Sequence, residues 1–217
     1  MDRNDEIVAL FDLDGVIIDT ETQYTVFWNK VGERYFPTQK DFGLIIKGQT
    51  MTQIYDKYFS GNDKAKQELG EALIAFQDEM TYNYIAGAYE FMTDLKRHGV
   101  RMGIVTSSDQ QKMAHVYESH PELKEMADKI FTAEMFTRSK PAPDCFLLGA
   151  KYFGVAPEQC VVFEDSFHGL QAGTDAGMFV VGLATTNAAS QIDGKCNKVI
   201  ANFEGLDYNR LCDILKD

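Results

Sequence analysis

The acids Asp12, Asp14 and Asp19 follow in quick succession after the apolar run Ile7-Val8-Ala9-Leu10-Phe11, with Gly15 directly behind the second of them. Two carboxylates two residues apart can serve one small site. Asp12 can offer one oxygen to a cation and keep the other for attack on an electrophile. The chain can turn at Gly15, because glycine adopts backbone angles that other residues avoid. Asp14 can then contribute a carboxylate, a backbone carbonyl, or both. Taken alone, Asp12-Leu13-Asp14-Gly15 fits a strand end followed by a turn at least as well. What decides between the two is whether partners occur further along the chain.

Three later stretches supply candidates. Thr106 and Ser107 offer a hydroxyl and backbone N–H groups just before a helix, which suits an anion; a helix N-cap at Ser107 or Ser108 explains the same residues. Lys140 precedes Pro141, and the prolines of its loop hold it more rigidly than a solvated surface lysine would be held. Glu164 and Asp165 end another apolar run, where they also fit a cap and turn. Each stretch is weak by itself, but together they describe one chemistry. Asp12, Asp14 and Asp165, with Glu164, make an oxygen-rich site for a hard cation, Mg²⁺. Asp12 is then a nucleophile able to form a phosphoaspartate. Lys140, Thr106 and the N–H groups after it neutralise phosphoryl oxygens. Asp14 acts as the acid that protonates the leaving oxygen and then as the base that activates water.

The elements that must position these residues alternate. Apolar strand runs occur at Ile7–Phe11, Val100–Thr106, Lys129–Ala133, Cys160–Phe163, Phe179–Leu183 and Lys198–Ile200, with helical spacing between them. That order predicts an α/β fold with a parallel sheet covered by helices on both faces. A sheet of this kind sends its strand ends to one edge, where ligands bind. The face Tyr24, Phe27, Trp28, Val31, Tyr35 predicts a helix that Thr20 can cap, and a long helix is expected from Asp63 to about Tyr84. Residues 21–85 contain no credible strand and read as a helical unit inserted into a core formed by residues 1–20 and 86–217. Gly169, Ala172, Gly173 and Ala176 give a later helix a small-residue face that permits close backbone approach.

The chain has 217 residues and a formal charge of −12, which argues against nucleic acid and anionic membrane as partners. That charge is compatible with a phosphorylated substrate only where local cations offset it. Neither a signal peptide nor a membrane span is expected. The four cysteines show no metal-binding spacing and read as reduced thiols of a cytoplasmic protein, expected to be a monomer.

The four stretches FDLDGVIIDT, IVTSS, SKPAPD and VFEDSFHGLQAGTDAGM, in this order and across nearly the whole chain, resemble the haloacid dehalogenase superfamily. The resemblance implies a Rossmann-like core with a helical-bundle cap after the first strand. It implies Asp12 as nucleophile, Asp14 as acid/base, Thr106 and Lys140 on the phosphoryl group, and Mg²⁺ on Asp12, the Asp14 carbonyl and Asp165. The Glu164-Asp165 pair is similar to that of the β-phosphoglucomutase-like branch, and Lys47-Gly48-Gln49 matches the cap's substrate-contacting loop. Asp14 separates the chain from dehalogenases and from phosphonate-cleaving relatives. The mutases of the branch carry a histidine where this chain has Tyr24 and an arginine where it has Met51, so a phosphatase is expected before a phosphomutase. Relatives often show Pro-Gly where this chain has Ala86-Gly87. A closing cap admits a small phosphorylated metabolite such as a sugar phosphate and excludes water. Tyr24, Phe27, Trp28 and Tyr55 are candidates to line that pocket, with Phe27 and Trp28 placed rather in the cap's own core. A non-catalytic interaction protein is the third class, and retention of Asp12, Asp14, Lys140 and Asp165 speaks against it.

Overall fold

A computed structural model describes residues 7–47 and 49–216. Its centre is β1 (Val8–Phe11), every residue of which is buried. A strand covered on both faces needs apolar side chains pointing both ways, which is why this run lacks alternation. Ala9 and Phe11 join one apolar cluster with Phe91, Leu95, Met113 and Phe203. Val8 and Leu10 join the other, with Phe146, Phe153 and Leu170. Six parallel strands form the sheet in the order β3-β2-β1-β4-β5-β6. The remaining strands are β2 (Arg101–Val105), β3 (Lys129–Phe131), β4 (Cys160–Glu164), β5 (Phe179–Leu183) and β6 (Lys198–Ile200). Phe11 lies level with Ile104 of β2 and Phe163 of β4, so the ends of these three strands meet. The strand order reverses between β1 and β4, which opens a crevice there.

Helices α1 (Glu21–Tyr35), α2 (Phe42–Ile45), α3 (Met51–Tyr58) and α4 (Asp63–Glu79) leave the sheet after β1. They carry their own apolar cluster, built on Trp28, Val31, Phe42, Ile54, Phe59 and Leu69. The chain then returns through α5 (Ala88–Arg97), α6 (Gln110–Ser119), α7 (Leu123–Met126), α8 (Asp144–Phe153), α9 (Phe167–Asp175), α10 (Ala189–Ile192) and α11 (Tyr208–Ile214). The short α2, α7 and α10 are too brief to show a period in the sequence.

Three local expectations need correction. The long helix stops at Glu79 instead of near Tyr84. The segment after it pairs with the segment leaving β1: Asp19 N–H donates to Asn83 O at 2.8 Å and Ile85 N–H to Ile17 O at 2.9 Å. That pairing satisfies the backbone groups a longer helix would have used. Thr20 stands at the N-terminus of α1 but does not cap it with its side chain; its hydroxyl donates to Asp14 Oδ1 instead. Neither Ser107 nor Ser108 caps α6. Asp109 does so, accepting from Lys112 N–H at 2.9 Å.

Candidate active site

The site grows from the ends of β1, β2 and β4. Asp12 follows β1, and its N–H donates to Phe163 O at 3.0 Å, continuing the ladder. Glu164 closes β4, and Asp165 follows it. Lys140, on the loop before α8, reaches in from the other side. Its Nζ donates to Asp12 Oδ1 at 2.7 Å, Glu164 Oε1 at 2.6 Å and Val105 O at 3.2 Å. Glu164 Oε2 accepts from the N–H groups of Asp165 and Ser166, each at 2.8 Å, and from Ser166 Oγ at 3.0 Å. A side chain on Gly169 of α9 would overlap the Glu164 carboxylate, so that glycine lets the helix sit against it. Gly15 has φ +75°, and a side chain there would overlap Asp165. It thus serves both the turn and the close approach.

Asp12, Glu164 and Asp165 each bring a carboxylate oxygen to within 4.8 Å of the others'. Both carboxylate oxygens of Asp165 are buried without a hydrogen-bond partner among the described residues. Burial, reinforced by the neighbouring Glu164 and Asp14 charges, outweighs Lys140 and pushes Asp12 up to about 7. Burial and the charges of Glu164, Glu21 and Asp12 push Asp165 well above its ordinary value. Burial disfavours the charged form of Lys140, but Asp12 and Glu164 prevail and hold its pKa above the ordinary lysine value. The cluster is therefore short of positive charge. Its donors are all oxygen, and one carboxylate is left unsatisfied, which suits a hard divalent cation such as Mg²⁺.

Asp14 lies apart from that cluster. Its Oδ1 accepts from the Thr20 hydroxyl and the Lys112 ammonium, and its Oδ2 accepts from Ser108 Oγ at 2.8 Å. Burial pushes the Asp14 carboxyl up, yet the Lys112 charge and the three hydrogen bonds outweigh it and hold the group below its usual range. The sequence leaves open whether Asp14 offers a cation its carboxylate, its backbone carbonyl or both; in the structure the carboxylate turns to Lys112, Ser108 and Thr20.

A cavity of about 360 Å³ opens over these groups. Asp12, Asp14, Glu164, Asp165 and Lys140 form its floor. Tyr24, Trp28, Lys47, Gln49 and Met51 contribute from the helical unit. Ser107 and Ser108 line the cavity, and Thr106 beside them is buried, its hydroxyl oxygen accepting from Ser108 N–H at 3.0 Å. Lys47 Nζ pairs with Glu21 at 3.0 Å, and Lys47 O meets His168 Nδ1 at 2.8 Å. Gln49 donates to Ile45 O at 3.0 Å. Gly48 lies outside the described residues. Of the four candidate aromatics, Tyr24 and Trp28 reach the cavity, and Trp28 serves the helical unit's core as well. Phe27 stacks on Phe76 with ring centres 4.7 Å apart, and Tyr55 donates to Lys66 O at 3.1 Å.

Sequence reasoning missed Lys112, Glu21 and Gln77 on the walls. Lys112 is only 6% exposed, and its Nζ also lies 4.4 Å from the centre of the Tyr24 ring. Its spacing of four residues from Ser108 was the one available signal, and a lysine on a helix is ordinarily solvated.

The model of the haloacid dehalogenase-like hydrolases matches residues 9–183. The chain belongs to this family. Its relatives, sugar-phosphate phosphatases and a β-phosphoglucomutase among them, support the β-phosphoglucomutase-like branch. The chain is 32% identical over 178 residues to the fructose-1-phosphate phosphatase YqaB of Escherichia coli K12, covering 79% of this chain and 93% of that protein. It is 29% identical to hexitol phosphatase A of the same organism, over 85% of this chain and 87% of that one. The crystal structure of β-phosphoglucomutase from Clostridium difficile superposes with a TM-score of 0.78 at 23% identity, covering 97% of both chains. That dehalogenase-like core accounts for the six-stranded parallel sheet. Among the described residues no helix is long and apolar enough to cross a membrane.

Proposed function

We propose that this chain is a Mg²⁺-dependent phosphatase of small phosphorylated metabolites, sugar phosphates in the first place, working through a phosphoaspartate on Asp12. The convergence of Asp12, Glu164, Asp165 and Lys140 at one crevice carries this reading. Asp12 and Asp165, with Glu164 beside them and the Asp14 carbonyl, would hold the cation. When bound, Mg²⁺ supplies positive charge that screens the carboxylates and neutralises phosphoryl oxygens.

The protein's own groups do the rest. A carboxylate oxygen of Asp12 attacks phosphorus as the ester P–O bond breaks, and the departing oxygen takes a proton from Asp14. Lys140 and the N–H and hydroxyl groups at Thr106 and Ser107 balance charge on the transferring group. In the second step Asp14 takes a proton from water, which attacks phosphorus. The Asp12–phosphorus bond then breaks, restoring the carboxylate and leaving inorganic phosphate. The helical unit, residues 21–85, acts as a cap, with Lys47 and Gln49 facing the substrate, and it excludes bulk water during transfer.

A phosphomutase using the same intermediate is the second reading, favoured by the 26% identity over 193 residues to a β-phosphoglucomutase. Met51 counts against it, since an apolar side chain lines the cavity where a bisphosphate would need a cation. The test incubates the protein with Mg²⁺ and a panel of hexose and hexitol phosphates, fructose 1-phosphate included. Free phosphate and isomer interconversion are followed together. Phosphate release that Asp12→Asn abolishes is expected. Interconversion that depends on a bisphosphate primer and releases no phosphate would overturn the phosphatase reading.

A further inference from the structure

Lys112 is a buried ammonium on a helix that belongs to none of the four sequence stretches. Burying such a charge costs several kcal/mol unless it is paired. Its pairing is specific: Nζ meets Asp14 Oδ1 and lies over the face of Tyr24. Its own backbone is fixed as well, because Lys112 N–H donates to the Asp109 cap. The side chain therefore spans from a capped helix turn to the carboxylate, anchored at both ends. Asp14 needs such a hold. It sits near Asp12 and Glu21, whose negative charges repel it. Thr20 and Ser108 contribute neutral hydrogen bonds; Lys112 brings the opposing charge.

We propose that Lys112 is a positioning residue for Asp14: it holds the carboxyl group in the orientation from which a proton reaches the departing ester oxygen. This rests on the phosphatase reading above. Asp12–phosphorus bond formation and ester P–O cleavage stay as described. Lys112 takes no proton and touches no reacting atom. Its charge favours the ionised Asp14, the form left once the proton has gone to the departing oxygen, and its contact fixes the direction of the carboxyl group.

An ester whose alcohol leaves easily needs little protonation, and one whose alcohol leaves poorly needs much. Phenyl phosphate and p-nitrophenyl phosphate differ by one nitro group, and phenol is by far the weaker acid. The experiment measures kcat/KM for both esters with Mg²⁺, in the native protein, Lys112→Met and Lys112→Arg. This ratio reports steps up to release of the phenol, so the later attack of water does not enter it. Thermal melts accompany each variant, and Lys112→Gln carries the test should Lys112→Met fail to fold.

For Lys112→Met, kcat/KM on phenyl phosphate is expected to fall about a hundredfold, and on p-nitrophenyl phosphate less than about fivefold. Lys112→Arg recovers most of the loss. Equal losses on the two esters, as a structural or phosphate-binding role would give, overturn the proposal, and so does the absence of any loss. A native protein inert on both esters and on the hexose and hexitol phosphates removes the phosphatase reading and this inference with it. Native turnover with equal losses removes only the inference.

Discussion

Lys140 Nζ lies between Asp12 and Glu164, 2.7 Å from one carboxylate and 2.6 Å from the other. One buried cation thus joins the residue proposed to attack to a fully buried acid. Glu164 is 0% exposed, and its second oxygen is already held by the backbone of Asp165 and Ser166. Glu164 therefore fixes Lys140, and Lys140 fixes Asp12. Removing the lysine leaves Glu164 buried with no opposite charge. Lys140→Met is expected to lose about 3–5 kcal/mol of stability, read from urea unfolding. Phosphate release should fall at least about a hundredfold even where the variant is folded. A variant with native stability would show that Glu164 is not held as an ion pair.

The unpartnered Asp165 carboxylate points to stabilisation by a cation. With Mg²⁺ at about a hundred times its dissociation constant, a single site adds about 2.7 kcal/mol. For a chain of this length that raises the melting temperature by roughly 5–10 °C over the protein in EDTA. Asp165→Asn should lose most of that rise. In EDTA the same variant should melt above the native protein, because it removes one of several mutually repelling buried acids. Melting curves with and without Mg²⁺ check both statements. An equal Mg²⁺ shift in native and Asp165→Asn would put the cation elsewhere.

Much of this site can be read in the chain because apolar runs that end in acids carry their geometry with them. Val8–Phe11 and Cys160–Phe163 have no alternation, so they belong inside a parallel sheet, and their terminal acids then share an edge. Lys112 could not be read this way. Its burial depends on Tyr24 of the helical unit lying over α6, a contact between segments far apart in sequence. Thr20 and the end of α4 were misjudged for a related reason. Local spacing favours a cap and a longer helix; the hydrogen bond from Thr20 to Asp14 overrides the first, and the pairing of residues 17–19 with residues 83–85 overrides the second. Asp14 illustrates the same limit: its position beside Asp12 is local information, but the direction of its carboxylate is set by Ser108 and Lys112.

Gly169 offers a way to disturb Glu164 without touching a charged residue. It lies in the first turn of α9, where alanine would be the better helix former by about 1 kcal/mol in an open setting. Here a methyl group would overlap the Glu164 carboxylate. Glu164 cannot retreat without breaking its bonds to Lys140 and the Ser166 backbone. Gly169→Ala is therefore expected to lose about 1–3 kcal/mol despite its propensity gain. The loss of activity should resemble a milder form of Lys140→Met. Urea unfolding and phosphate release on the same preparation decide it. A stabilised, fully active variant would mean that α9 can shift away from β4 at little cost.

The link between the helical unit and the sheet gives a prediction at alkaline pH. Tyr82 is 7% exposed and its hydroxyl donates to Gln77 O at 3.1 Å. Burial, with smaller contributions from nearby negative groups, pushes its phenol up to about 12. An unfolded tyrosine ionises near pH 10. Between these values the unfolded chain has released the proton and the folded chain still holds it. The folded state therefore binds more protons, and stability falls as pH rises from about 10 to about 12. One such proton contributes a slope of about 1.4 kcal/mol per pH unit within that window. Tyr82→Phe removes the ionisable group, and its stability should fall less steeply over the same range. At neutral pH it should be weaker by about 1 kcal/mol, for the lost hydrogen bond to Gln77. Urea midpoints at pH 8, 10 and 11 for both proteins test the sign. Parallel curves would show that Tyr82 ionises as readily in the folded protein as in the unfolded chain.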